Sequence, residues 1–318
     1  MDNGAVALMY HRFDEGRYPS TNIRLEQFEA HIEELQDGDY SVLPLPEIVA
    51  ALREGTELPD RAVAITIDDA YASVYNEAWP RLEAAGFPFT FFVASGPLDN
   101  AETGMVTWDQ LREMAESDLV TIGNHSHTHP SLPELTSAEV AEQITRSQAR
   151  FRAELGFEPD QFAYPYGEYS QEVQEVIAAL GFDFALGQHS GAIGRSDDPL
   201  GLPRFALNEA FGEMDRFHLA VNSKPLPVTD VTPADKTVRP ENNPPRYGFK
   251  VFEDVGDIGR LNCFLGGQIL EIERIANQRV EVRIPEPLSA GRARVNCTMP
   301  AGGDRWRWFG TQFYVMSE

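Results

Sequence analysis

Cysteine, positive charge and long apolar runs are all scarce in this chain, and each shortage excludes something. There are two cysteines in 318 residues, Cys263 and Cys297, both late in the sequence. Two thiols cannot build a zinc site by themselves. Paired, they would close a loop worth roughly 3–4 kcal/mol on chain-entropy grounds; in a reducing compartment they would be two small buried hydrophobes. No window approaches eighteen consecutive apolar residues, so no transmembrane helix is expected. Basic residues number 26 against 50 acidic ones, a formal net charge of -24. Such a field repels phosphate backbones and anionic headgroups, so no nucleic-acid partner is expected, and a neutral or cationic substrate fits better. A salt-rich habitat is another reading of the same acidity. Residues 1–13 have neither the basic start nor the long apolar core of a signal peptide. Two locations stay open: periplasmic or secreted, with the signal peptide absent from this sequence, or cytoplasmic.

What is present is ordinary for a folded protein, 42% hydrophobic and 24% charged residues. That suffices for one large core with a small satellite domain. From residue 5 to about 207, short apolar runs alternate with amphipathic stretches. Residues 5–10 read as a strand. Leu25, Phe28, Ile32 and Leu35 recur at helical spacing, which predicts a helix over 24–37. Residues 62–67 form an apolar run of strand length, the mark of a strand buried on both faces. A helix over 74–85 closed by Gly86, a strand at 89–93, a helix at 108–115 and a strand at 119–122 follow. Thr136 and Glu139 have capping-box spacing ahead of a helix reaching about 155. A strand at 162–163, a helix at 171–180 and a strand at 182–186 complete the alternation. Repeated βα units imply a parallel sheet, open or closed into a barrel.

The pattern changes after about Val221. Six prolines within 222–247 preclude a helix and mark a linker, or a loop wrapping the first domain. Alternating runs at 280–284 and 292–296 read as half-exposed strands. Trp306, Trp308, Phe309 and Phe313 crowd the end, as a core first and as a sugar platform second. The division expected is 1–221, a Pro-rich linker 222–247, and a small β-sandwich-like accessory domain 248–318.

Three segments can carry chemistry, each where a strand should end. Asp68 and Asp69 follow an apolar strand directly, which is expensive unless a cation or hydrogen bonds compensate them. Neighbours in a strand point to opposite faces, but at its exit both can swing into one pocket. His125, His127 and His129 put three of seven histidines into five residues, and imidazole is the commonest side-chain ligand of zinc-like metals. Pro130 and the polar neighbours argue for a loop that turns two of them inward and leaves His127 outside. Two histidines and a carboxylate make a three-ligand hydrolytic site with a position for water. The third segment, Phe162-Ala163-Tyr164-Pro165-Tyr166-Gly167, is by itself only an aromatic turn, suited to sugar rings.

Together these segments resemble the polysaccharide deacetylases of the NodB-homology type, carbohydrate esterase family 4. That family carries Thr-Phe-Asp-Asp, His-Ser/Thr-x-x-x-His and Arg-x-Pro-Tyr/Phe-Gly motifs in this order. Here they stand as Thr66-Ile67-Asp68-Asp69, His125-Ser126-His127-Thr128-His129 and Ala163-Tyr164-Pro165-Tyr166-Gly167. The resemblance covers about residues 5–207. It implies an α/β fold, a distorted (β/α)7-type barrel, followed here by a small all-β domain. It implies a divalent metal held by Asp69, His125 and His129, zinc first, with cobalt, nickel or iron also suited to such donors. Asp68 would be the general base, and the backbone N–H of Tyr166 would help hold the oxyanion.

Two departures from the family pattern follow. The usual Arg of the third motif is Ala163, so the base lacks its ordinary cationic partner; Arg204 is a candidate substitute, with a surface arginine as the other reading. Most members also supply a general-acid His near the domain's end, and His189 lies there in a loop that does not match. His11, in Leu8-Met9-Tyr10-His11, matches better. The circularly permuted biofilm poly-N-acetylglucosamine deacetylases carry a Met-Tyr-His segment at their start, and its His serves as the acid. The activity implied is removal of N-acetyl groups from an N-acetylglucosamine polymer or oligomer, giving free amine and acetate. An O-acetyl xylan esterase with the same site, or a carbohydrate-binding protein on an idle barrel, are the alternatives. The oligomeric state is not legible.

Overall fold

Six apolar runs become the parallel strands of one curled sheet. The computed structural model describes residues 3–276 and 278–317; Met1, Asp2, Asn277 and Glu318 lie outside it. Strands Gly4–Tyr10, Ala62–Asp68, Phe89–Val93, Val120–Asn124, Gln161–Ala163 and Phe184–Leu186 lie side by side in chain order. Each neighbouring pair is parallel. Ala62–Asp68 is buried at every position, as a strand covered on both faces must be. Helices fill the crossovers. Leu25–Asp37 buries Phe28, Ile32 and Leu35 on its inner face, and Ser137–Leu155 starts at the expected capping box, with Thr136 and Glu139 bonded reciprocally.

Several boundaries differ from expectation. The helix expected over 74–85 opens with a wide π-helical turn, Val74–Ala78, before continuing as Trp79–Ala85. The strand expected at 119–122 runs on to Asn124, which carries the chain directly to His125. The element with no sequence signal is the one that closes the barrel. Leu202 bridges Leu186 in parallel, and Phe205–Ala206 pairs in parallel with Leu8 and Met9. Residues 202–206 thus tie the last strand of the sheet back to the first, completing a distorted (β/α)7-type barrel. Tyr10 at the end of the first strand is pinned from outside: its hydroxyl meets His31 Nδ1 at 3.0 Å, and His31 Nε2 meets Gly212 O at 2.8 Å. Burial pushes His31 down to about 4, so the neutral ring can accept from Tyr10 and donate to Gly212.

The proline-rich stretch 222–247, expected as a linker, contributes three short paired strands among its turns. Lys224–Pro225 pairs with Arg307 and Trp308, Val228–Thr232 pairs with Tyr247–Val251, and Thr237–Val238 pairs with Tyr314 and Val315. Its prolines bar a helix but are tolerated on short edge strands. Two sheets enclose the second core, in which Leu226, Val238, Phe249, Val280, Val295 and Phe313 are buried. Cys263 and Cys297 face each other across adjacent strands and form a disulfide. The C-terminal aromatics divide. Phe313 is core and Phe309 packs on Phe249, whereas Trp308 meets Phe205 of the barrel and Trp306 is exposed. Among the described residues no helix is long and apolar enough to cross a membrane.

Candidate active site

The ends of the barrel strands, where such folds carry their chemistry, gather the residues singled out in the sequence. Asp68 ends its strand and Asp69 follows it, His125 follows Asn124, His11 follows Tyr10, and Tyr166 lies three residues beyond Ala163. Asp69 and Ala70 both have positive φ, 79° and 61°. The chain therefore turns over as it leaves the strand, and adjacent carboxylates reach one pocket. Of ten described non-glycine residues with positive φ, five (Asp69, Ala70, Ser126, His129 and Tyr166) sit in these loops. Left-handed backbone is unfavourable for residues with a Cβ, and its concentration here marks loops held by their surroundings for a purpose.

Asp69, His125 and His129 converge. Asp69 Oδ1 lies 3.3 Å from His125 Nε2 and 3.2 Å from His129 Nε2, and the two Nε2 atoms are 3.1 Å apart. These edges are those of a coordination polyhedron: bonds of ~2.0–2.1 Å place neighbouring donors ~2.8–3.0 Å apart in octahedral and ~3.3–3.4 Å apart in tetrahedral geometry. The tautomers point the same way. His125 Nδ1 lies 2.7 Å from Ala163 O, so it carries the proton and leaves the Nε2 lone pair facing Asp69. Asp69 Oδ1 is buried without a conventional donor. Acceptors facing one another at this spacing need a cation or shared protons between them. Burial alone would raise the Asp69 carboxyl, but His125 and His129 outweigh it and hold it well below the usual range. Burial likewise pulls His125 down, and Asp69 and Asp68 bring it above its ordinary value. The donor set fits a divalent ion.

Asp68 stands apart from that triangle, in a buried bidentate pair. Arg204 Nη1 and Nη2 each donate to one of its oxygens at 2.7 Å. Arg204 is fully buried; it also donates to Thr66 Oγ1 at 3.0 Å and to Gly187 O at 3.0 Å. It belongs to the closing segment 202–206, which explains how a residue far along the chain fills the place left by Ala163. The surface-arginine reading is thereby corrected. Burial opposes ionisation of Asp68, but Arg204, then His125, holds the carboxyl below its usual value.

The remaining histidines separate. His11 is half-buried; burial lowers it, while Asp69 and then Asp68 pull the other way. His189 is buried elsewhere, driven down to about 3 by burial, with Lys236 and Arg294 as its charged neighbours. His127 does point away from the triangle, yet it is buried rather than outside, its Nδ1 2.8 Å from Ser95 Oγ. Tyr166 is partly exposed, its ring against His129 at 4.5 Å between centroids. A rim that the sequence motifs do not include lies beside them: Arg12 sits over the rings of Tyr71, 3.4 Å away, and Tyr18, 4.0 Å away. Burial and then Asp69 raise the Tyr71 phenol above its ordinary range. An Arg two residues beyond a barrel strand, with aromatics on neighbouring loops, was the available signal.

Residues 55–185 match the family model for polysaccharide deacetylases. YxkH of Bacillus subtilis strain 168, whose name places it in the same family, is 27% identical over 201 residues, covering 63% of this chain and 70% of its own. The poly-β-1,6-N-acetyl-D-glucosamine N-deacetylase of Escherichia coli K12 is 26% identical over 265 residues, covering 70% of this chain and 39% of the relative, so the match spans about two fifths of that longer protein. The solved structure of IcaB from Ammonifex degensii superposes with a TM-score of 0.62 at 26% identity, over 69% of this chain and 97% of that one.

Proposed function

We propose that this chain, whose residues 55–185 match the family model for polysaccharide deacetylases, removes N-acetyl groups from a polymer or oligomer of N-acetylglucosamine, releasing acetate and leaving free amines. The observation that carries this reading is the pairing of two unlike sites: three convergent donors, Asp69, His125 and His129, beside a separate carboxylate, Asp68, that Arg204 keeps ionised. The name of the Escherichia coli relative, a poly-β-1,6-N-acetyl-D-glucosamine N-deacetylase, supports the substrate class. Asp69, His125 and His129 would hold the ion, zinc in the first place, with cobalt, nickel or iron as substitutes. When bound there, a divalent ion supplies Lewis-acid polarisation of the acetamide carbonyl and brings a water's pKa from ~15.7 towards ~7.

The chain's own residues divide the rest. Asp68, held in one orientation by both arms of Arg204, takes the proton of the attacking water as a general base. The Tyr166 N–H, at a turn fixed in left-handed backbone, donates to the carbonyl oxygen as negative charge builds there. His11 gives a proton to the departing amine; Asp69 and then Asp68 support its charged form, but burial outweighs them and holds it below its ordinary value, so the proton it donates is weakly held. Tyr166 and the Arg12–Tyr71–Tyr18 rim offer faces on which sugar rings stack. The Cys263–Cys297 disulfide supports a periplasmic or secreted location, where such bonds persist.

Acetate release tests the assignment. Chelated protein is expected to release none, and zinc to restore release from β-1,6-linked N-acetylglucosamine oligomers but not from acetylated xylan. Preference for xylan would make it an O-acetyl esterase, and no release from either would leave a binding protein. The acid has its own test. His11→Ala is expected to lose about 100-fold or more on N-acetyl sugars, and little on p-nitrophenyl acetate, whose leaving group needs no proton. Equal losses on both substrates would remove His11 from that role.

A further inference from the structure

The turn that would supply the oxyanion donor is held from the other end of the chain. Tyr166 (φ 59°, ψ 5°) and Gly167 (φ 69°) are consecutive left-handed residues. Gly167 has no alternative, because a Cβ there would lie 2.4 Å from the backbone nitrogen of Gln188. Tyr166 does carry a Cβ, and left-handed backbone disfavours it by roughly 1–2 kcal/mol. Something must over-determine that conformation. Gln312, on the C-terminal strand Arg305–Val315, donates from Nε2 to Tyr166 O at 3.0 Å and to Gly167 O at 2.9 Å. The amide is nearly fully buried, 4% exposed. Its orientation is dictated by chemistry: Arg294 Nε donates to Gln312 Oε1 at 2.7 Å, and a guanidinium cannot accept. The oxygen must therefore face Arg294, which turns both amide hydrogens to the two carbonyls.

Fixing the carbonyls on both sides of Gly167 fixes the peptide planes that follow Tyr166. The Tyr166 N–H lies in the plane before that residue, which Pro165 O anchors by accepting from Glu168 N at 3.1 Å; with the following planes fixed as well, Tyr166 φ and ψ are restricted together and the N–H keeps its direction. Two further ties reach the same region from that strand and its antiparallel neighbour, Gly291–Gly302. Arg292 lies 5.7 Å from the Tyr166 ring and 3.6 Å from Glu168, and Tyr314 donates to Glu134. Gly310 makes the approach close enough, since a Cβ there would lie 2.1 Å from Ser190 O.

We propose that Gln312 is a positioning residue for the Tyr166 N–H, so that the C-terminal β sheet is part of the catalytic unit rather than an appended module. This rests on Tyr166 N–H being the oxyanion donor. The decisive variant is Gln312→Glu, nearly the same volume but with an acceptor facing both carbonyls. In metal-replete full-length protein it is expected to lower kcat about 10–100-fold, as a small misplacement of a catalytic donor does, with KM within about two-fold. Gln312→Ala should fall in the same range. Amide hydrogen exchange across residues 164–168 should quicken about ten-fold, while the barrel strands keep their protection. Wild-type kcat in Gln312→Glu, a loss confined to KM, or unchanged exchange at 164–168 would each overturn the proposal. Absence of acetate release from the wild type would overturn the catalytic reading instead, and the exchange result would still decide whether Gln312 holds the turn. Should Gln312→Glu not fold, Arg294→Met leaves Gln312 in place but free to rotate. A smaller kcat-only loss there supports the proposal, and wild-type kcat overturns it.

Discussion

Arg204→Met is expected to destabilise the protein by about 3–5 kcal/mol, because it strands a fully buried carboxylate, and to lower turnover with it. Arg204 donates to both Asp68 oxygens at 2.7 Å from a position with no exposure to solvent. With the guanidinium in place, Asp68 titrates below its ordinary value. Its pairing therefore contributes stability above the unfolded value of ~3.9, and that contribution is lost as pH falls through the lower folded value. Without Arg204, burial dominates and pushes the carboxyl up. The variant then loses stability as pH rises from that unfolded value through the raised folded one. The gap between wild type and variant should be widest at neutral pH and narrow on acidification. Urea unfolding at neutral pH and near the unfolded carboxyl value measures it. A gap that does not change with pH would assign the effect to lost packing alone. Arg204→Lys should fall between, since an ammonium keeps the charge but cannot bridge both oxygens in a fork.

That pair also shows what the sequence could and could not disclose. The strands were legible because burial on both faces forces unbroken apolar runs, as in residues 62–67. The convergent triangle was legible because its three donors sit in two short segments at strand ends, Asp69 in one and His125 and His129 in the other. Arg204 was only a candidate, since its partner lies 136 residues away and nothing local distinguishes a buried arginine from a solvated one. The segment that delivers it, 202–206, is too short and too interrupted by Pro203 to carry a period. The proline-rich stretch misled for a related reason. Proline density excludes helix, but it does not separate a free connection from short edge strands such as Lys224–Pro225. Gln312 gave no signal at all, because a polar residue in an alternating strand reads as solvent-facing until another domain covers it.

Asp68→Asn and His125→Ala are expected to abolish turnover for different reasons, and the contrast separates base from ligand. Asparagine at 68 removes the proposed proton acceptor, for an expected loss of about 100- to 10,000-fold, yet leaves Asp69, His125 and His129 untouched. Metal content should stay at the wild-type level. The change also sets an NH2 group against one arm of Arg204, where a 2.7 Å bond now stands, so a stability cost of about 1–3 kcal/mol is expected as well. Alanine at 125 takes away a fully buried donor, the proposed ligand, whose other nitrogen is anchored on Ala163 O. It should lose both metal and turnover. His127→Ala is the control, since that ring bonds to Ser95 and points away from the triangle; it should keep its metal. Metal content by elemental analysis, read beside acetate release, decides among them. Near-native release by metal-replete Asp68→Asn would move the base elsewhere. Stoichiometric metal in His125→Ala would mean that the triangle of Asp69, His125 and His129 is not the ion's seat.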